Sequence, residues 1–181
     1  MAVNTYTSTQ KFLHWALFAL VLLLYALTYG DAFYSRGDPA VAFFWRLHIS
    51  FGLLLAAFVA WRVVLRGMRG APGLPAEMSA PEQAAAKIGH FILYALLIAI
   101  PVLGILLTWF RGDALSFFGL FTIPAPFAPD RTTARTIREL HSLCANGILI
   151  MAGIHALAAL YHHFIRRDGV LTRMLPAGRE G

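Results

Sequence analysis

Three observations predict an all-α integral membrane protein, a bundle of four spanning helices. Residues 12–30, 88–110 and 140–165 contain no charged side chain, and each run is long enough for a hydrocarbon core that takes about 20 apolar residues. The 181 residues are 59% hydrophobic and 13% charged, with a mean hydropathy of +0.65, too apolar for an ordinary soluble domain of this size. All four tryptophans, Trp15, Trp45, Trp61 and Trp109, fall near the ends of predicted helices, as an aromatic belt at the two interfaces requires. A single membrane domain, 1–181, is expected, with spans at 12–30, 46–66, 88–110 and 140–165 and no internal repeat.

The first span lacks an A-x-A-like cleavage site, and its apolar run is longer than a usual signal core, so it reads as a retained helix. In the second, Leu47 to Trp61 is uncharged and bounded by Arg46 and Arg62, whose stems can snorkel toward opposite interfaces. Residues 67–81, rich in Gly and Pro, read as an irregular loop. Within the third span, Pro101 followed by Gly104 predicts a kink. A longer connection, 111–138, has an apolar middle from Leu115 to Phe127 that Pro124 and Pro126 interrupt. It is too short to span and is expected to lie at the interface as a lid.

Charge sets the orientation. With both termini in the cytoplasm, the inner side carries nine basic residues (Lys11, Arg62, Arg66, Arg69, Lys87, Arg166, Arg167, Arg173, Arg179) against six outside (Arg36, Arg46, Arg111, Arg131, Arg135, Arg138). The positive-inside rule therefore favours cytoplasmic termini. These juxtamembrane cations meeting the anionic lipid of the bilayer also account for the pI of about 10.0, so no nucleic-acid partner is needed. The lone cysteine, Cys144, excludes an internal disulfide, a four-cysteine iron-sulfur cluster from this chain and the attachment motif of c-type haem.

Histidines supply the candidate chemistry. His141 and His155 are 14 residues apart in the fourth span, which returns the second to within about 40° of the first and sets them about 21 Å apart along the axis. The first helix enters from inside, so His14 shares a level with His155. The second enters from outside, so His48 shares a level with His141. One such histidine near a membrane-helix end is ordinarily an interfacial or hydrogen-bonded residue, but four at matched depths predict two bis-histidine sites holding two b haems between the helices. Ala145, Ala152 and Gly52 provide small neighbours. Arg62, 14 residues from His48, points inward at the inner level and is a candidate partner for a haem propionate. A metal transporter is disfavoured, because no Asp or Glu lies within any span.

The segments Gln10-x-x-x-His14-Trp15, His48 with Gly52, Gly89-His90, Arg111-Gly112 followed by Phe118-Gly119-Leu120, Ala145-Asn146, and Gly153-x-His155-Ala-x-Ala-Ala-Leu-x-His162-His163 resemble the bacterial cytochrome b561 family. The resemblance runs from residue 5 to the terminal Leu171-x-Arg173-Met174-x-Pro176, specific in the fourth helix and weak in the loops. It implies a four-helix di-haem cytochrome of the inner membrane, with axial positions mapping onto His14, His48, His141 and His155, that exchanges electrons with the quinone pool. Similar members oxidise superoxide at the outer face and reduce ubiquinone. On that expectation Lys87, His90, His162 and Arg69 are the candidates for the quinone site, and the outer arginines would steer a small anion. Five outer acids, Asp31, Asp38, Asp113, Asp130 and Glu139, oppose that steering. The alternative is an electron relay or anchor subunit for a periplasmic redox partner, with the lid as its docking surface.

Overall fold

A computed structural model describes residues 5–35, 37–75 and 77–175. Arg36, Pro176 and Arg179 lie outside the described residues, as does the side chain of Asp31. Helix α1 (Ser8–Leu27) begins at Thr7, whose hydroxyl accepts from the Gln10 N–H while the Gln10 side chain accepts from the Thr7 N–H, a reciprocal cap that satisfies two orphan donors. Gln10 is buried and also donates to the Gly70 carbonyl at 3.0 Å, which ties the start of α1 to the end of α2. After a 3-10 turn at Gly30–Phe33, α2 runs Pro39–Arg69, capped by Asp38 and started by a proline whose φ suits the first helical turn. It stops at Gly70, whose φ of 68° would cost a residue with a side chain about 1–2 kcal/mol.

Helix α3 (Ala80–Phe110) starts where the Glu82 carboxylate accepts from the N–H and hydroxyl of Ser79 at 2.8 Å, and it runs unbroken through Pro101. A two-stranded antiparallel hairpin follows, β1 (Leu115–Phe117) and β2 (Phe121–Ile123), with Phe117 opposite Phe121. Helix α4 (Arg131–Tyr161) is capped by Asp130 and continues as a single π turn, His162–Arg166. Residues 167–175 then form a strap that turns back beneath the bundle. Its Met174 carbonyl accepts from the Trp15 indole N–H, and its Leu175 carbonyl accepts from Lys11, each at 2.9 Å.

Each of the four helices is long and apolar enough to cross a membrane. Helices α2 and α4 begin seven and nine residues before the predicted spans at 46 and 140, because hydropathy marks where a helix meets lipid and not where its hydrogen bonding starts. The irregular loop is correspondingly shorter than 67–81, lying between Arg69 and Ala80. The buried core is Leu17, Leu20 and Leu24 of α1 against Leu55 and Val59 of α2, with Leu97 of α3 packed on it. Apolar side chains such as Phe91 and Leu157 are mostly exposed, the outward surface that lipid solvates. Close packing follows chain order, α1 on α2, α2 on α3 and α3 on α4. Among the described residues no comparably close backbone approach joins α4 to α1 or α2, and that gap is what the histidines face.

Candidate functional site

At the end of the bundle that carries the hairpin, His48 of α2 and His141 of α4 face each other with ring centroids 6.3 Å apart. At the end that carries the termini, His14 of α1 and His155 of α4 do the same at 6.2 Å. Imidazole nitrogens bind metals at about 2 Å, so two rings on opposite sides of one ion have centroids about 6.3 Å apart. The rings are too far apart to hydrogen-bond directly and at the right separation to share an ion. Among the described residues no group of three or more His, Cys, Asp or Glu could hold a bare metal; a metal held here by two imidazoles would have to bring its other ligands with it, as the iron of haem does.

The hairpin-end pair is oriented from behind. Nδ1–H of His48 donates to the Leu24 carbonyl of α1, and Nδ1–H of His141 donates to the Ile100 carbonyl of α3, each at 3.0 Å. A carbonyl can only accept, so Nδ1 carries the proton and Nε2 keeps its lone pair for a metal. All four helices therefore contribute to this site. Gly104, one turn after Ile100, leaves room for the ring: a Cβ there would stand 3.2 Å from Cε1 of His141.

The termini-end pair is surrounded differently. Trp15 meets the His14 ring edge-on at 5.3 Å, and the His90 ring of α3 lies 5.3 Å from that of His155. Arg62 of α2 reaches across to α1. Its guanidinium donates to the Gln10 carbonyl at 3.0 Å, one turn before His14, and lies 5.8 Å from the Tyr94 ring centroid. A cation held in apolar surroundings by one carbonyl and one ring face has donors to spare for a carboxylate.

Of the remaining candidates, only His90 is brought to a histidine pair. Arg69 is exposed at the end of α2, and Lys87 is exposed about two turns into α3. His162 is buried and donates through Nδ1–H to the Asp168 carboxylate, a partner returned to it by the π turn and the left-handed Arg167. The sequence reading missed Asp168, because helical periodicity carries no information past Tyr161. It also missed Ser50, 2% exposed, whose hydroxyl accepts from the Phe118 N–H at 2.9 Å and reaches the Ser116 carbonyl at 3.0 Å. That clasp seats the hairpin on α2. Tyr25 of α1, donating to Asn146 of α4 at 3.0 Å, is a third contact that no single-helix pattern announces.

Four membrane-length helices with opposed imidazoles across an apolar gap have the makings of a b-type membrane cytochrome. The chain belongs to the prokaryotic cytochrome b561 family, whose pattern it matches over residues 5–177. It is 28% identical over 174 residues to cytochrome b561 homolog 1 of Escherichia coli, covering 96% of this chain and 98% of that protein. It is 35% identical over 161 residues to cytochrome b561 homolog 2 of the same organism, covering 89% and 82%. A Yersinia pestis protein named "Probable superoxide oxidase CybB" is 30% identical over 175 residues, covering 96% and 97%. Membership makes this a membrane electron-transfer protein and implies b-type haem as its cofactor.

Proposed function

We propose that the chain is a di-haem cytochrome of the bacterial inner membrane that oxidises superoxide at the periplasmic face and reduces ubiquinone on the cytoplasmic side. His48 and His141 hold one haem and His14 and His155 the other. The observation that carries this reading is the equal spacing of the two opposed imidazole pairs, 6.3 and 6.2 Å. Haem held between these imidazoles would supply reversible one-electron transfer. In the balanced reaction two superoxide anions each lose one electron to become dioxygen, and one ubiquinone gains two electrons and two protons.

The residues of the chain have distinct tasks in this scheme. The Leu24 and Ile100 carbonyls lock the His48 and His141 rings and raise their basicity. Arg62 neutralises a propionate at the cytoplasmic level. His90, beside His155, is the quinone-site candidate best placed to hydrogen-bond a quinone oxygen, with Lys87 and Arg69 at the surface where protons enter. His162 is engaged by Asp168 and has a positioning role. At the periplasmic end Arg111 faces Asp113 at 3.2 Å and Arg135 faces Glu139 at 3.3 Å. Among the described residues that leaves Arg46, Arg131 and Arg138 without a carboxylate partner, and their field attracts a small anion. The relative named as a superoxide oxidase supports the choice of donor.

The relay or anchor reading draws on the exposed apolar tip of the hairpin, Leu120 and Phe121, which would serve as a docking surface. Pyridine haemochrome assay of the purified chain tests the cofactor, with an expected two b haems per chain and fewer in His141→Ala and His155→Ala. Rapid mixing with superoxide then tests the donor: reduction of the haem absorbance, discharged by added ubiquinone, is the expected result. Absence of stoichiometric haem sinks the proposal. Haem that superoxide does not reduce gives preference to the relay.

A further inference from the structure

We propose that the groove between the α2–α3 loop and the strap after α4 binds the phosphodiester headgroup of a membrane lipid. A cavity of about 800 Å³ opens there, with Leu74, Pro75 and Glu77 on the loop side and Ile165, Arg166, Arg167, Asp168 and Arg173 on the strap side. Three arginines face two carboxylates, and the pairing inside the groove decides which charges are available. Asp168 is taken by His162. Arg166 donates to the Glu77 carbonyl at 3.2 Å and lies 3.5 Å from the Glu82 carboxylate. Arg173 spends one N–H on the Gly73 carbonyl at 2.8 Å, leaving the rest of its five donors. Among the described residues neither Arg167 nor Arg173 has a carboxylate partner. Arg167 and Arg173 on the strap side therefore keep donors that a phosphodiester can take up, while the Glu77 carboxylate lines the loop side.

Backbone geometry fixes these arginines in place. Arg167 has a φ of 54°, a left-handed conformation that costs a residue with a side chain about 1–2 kcal/mol and tends to persist where a ligand clamp depends on it. Two contacts of the Asp168 carboxylate, to His162 and to the Val170 N–H at 3.2 Å, hold the strap in that conformation. The level in the membrane selects the source of the phosphate. The apolar surface of the fourth span ends at Phe164 and Ile165, 64% and 68% exposed, and the arginines follow immediately, at the depth where acyl chains give way to headgroups. Leu74, Pro75 and Ile165 offer a greasy wall to the glycerol and upper chain, which a free phosphate would not use.

Native mass spectrometry of the full-length, haem-loaded protein in detergent tests this, with phosphatidylglycerol as the probe and inorganic phosphate as the competitor. One phosphatidylglycerol per chain is expected, with affinity lowered at least about tenfold, the loss of one charge-assisted contact, in Arg167→Ala/Arg173→Ala. The hairpin-end control Arg131→Ala/Arg135→Ala should bind as the unaltered chain does. Arg167→Lys/Arg173→Lys covers the case in which the alanine pair fails to fold, and should bind more weakly than the native pair because lysine loses the bidentate fork. Equal affinity in the strap and hairpin-end variants overturns the proposal. So does displacement of the lipid by inorganic phosphate, which would assign the groove to a soluble ligand.

Discussion

Gly104 shows how little room the hairpin-end site has. A methyl group added to its Cα would stand 3.2 Å from Cε1 of His141, while Nδ1 of the same ring is tied at 3.0 Å to Ile100 one turn earlier. The ring would have to give by a few tenths of an ångström, a shift that strains its orienting hydrogen bond. Gly104→Ala is therefore expected to lower haem content from two per chain toward one, with the His14 and His155 pair spared, read by haemochrome assay and by loss of one low-spin signal in electron paramagnetic resonance. Retention of both signals would refute the steric argument. At the strap, Asp168→Ala strands the buried His162 N–H, a loss of about 1–3 kcal/mol that thermal unfolding in detergent should register. The histidine pairs were legible in the sequence because 14 residues is a near-integral number of helical turns. Gly104 and Asp168 were not, since their importance lies in contacts with a neighbouring helix or beyond a helix end, which periodicity does not encode.

The hairpin and the helix starts show a second limit. The apolar stretch 115–127 was readable as too short to span, and Phe118-Gly119 is where the chain turns, with φ of 49° and 75°. Phe118, a bulky residue held left-handed by that turn, gives its N–H to Ser50, 68 residues earlier. Ser50→Ala removes that acceptor and is expected to cost about 1–3 kcal/mol and to open the hairpin to limited proteolysis while α-helical circular dichroism stays unchanged. The start of α4 lies in charged sequence that hydropathy scores as loop, and Asp130 is what begins it. The Thr133 hydroxyl, then the N–H groups of Thr133 and Thr132, hold its carboxyl below the usual aspartate range. The fold thus favours the charged form. The cap is complete above about pH 3.9, the value of a free aspartate, and is lost as pH falls through the lower value of the folded state. Amide exchange at Thr132 and Thr133 should accelerate over that acid window, and Asp130→Asn should remove the pH dependence while keeping much of the cap.

For the molecule as a whole, direction is what the helix bundle cannot supply by itself. Four spans put both termini at one end, and the strap, the α2–α3 loop and the His14 and His155 pair share it. The hairpin, the start of α4 and the His48 and His141 pair share the other. Nine basic residues flank the first end and six the second, so the positive-inside rule favours the cytoplasmic termini that we propose. The bias is modest, and acids dilute the hairpin end further, with Arg111 and Arg135 each facing a carboxylate. The rule counts cations and not net charge, so these ion pairs leave the orientation intact while reducing the field that would guide an anion. Alkaline phosphatase, active only after export, should be inactive when fused at the C-terminus and active when inserted between Pro124 and Pro129. The opposite pattern would exchange the two faces. The Arg62 end would then look outward, and superoxide oxidation beside His48 and His141 would have to draw its substrate from the cytoplasm.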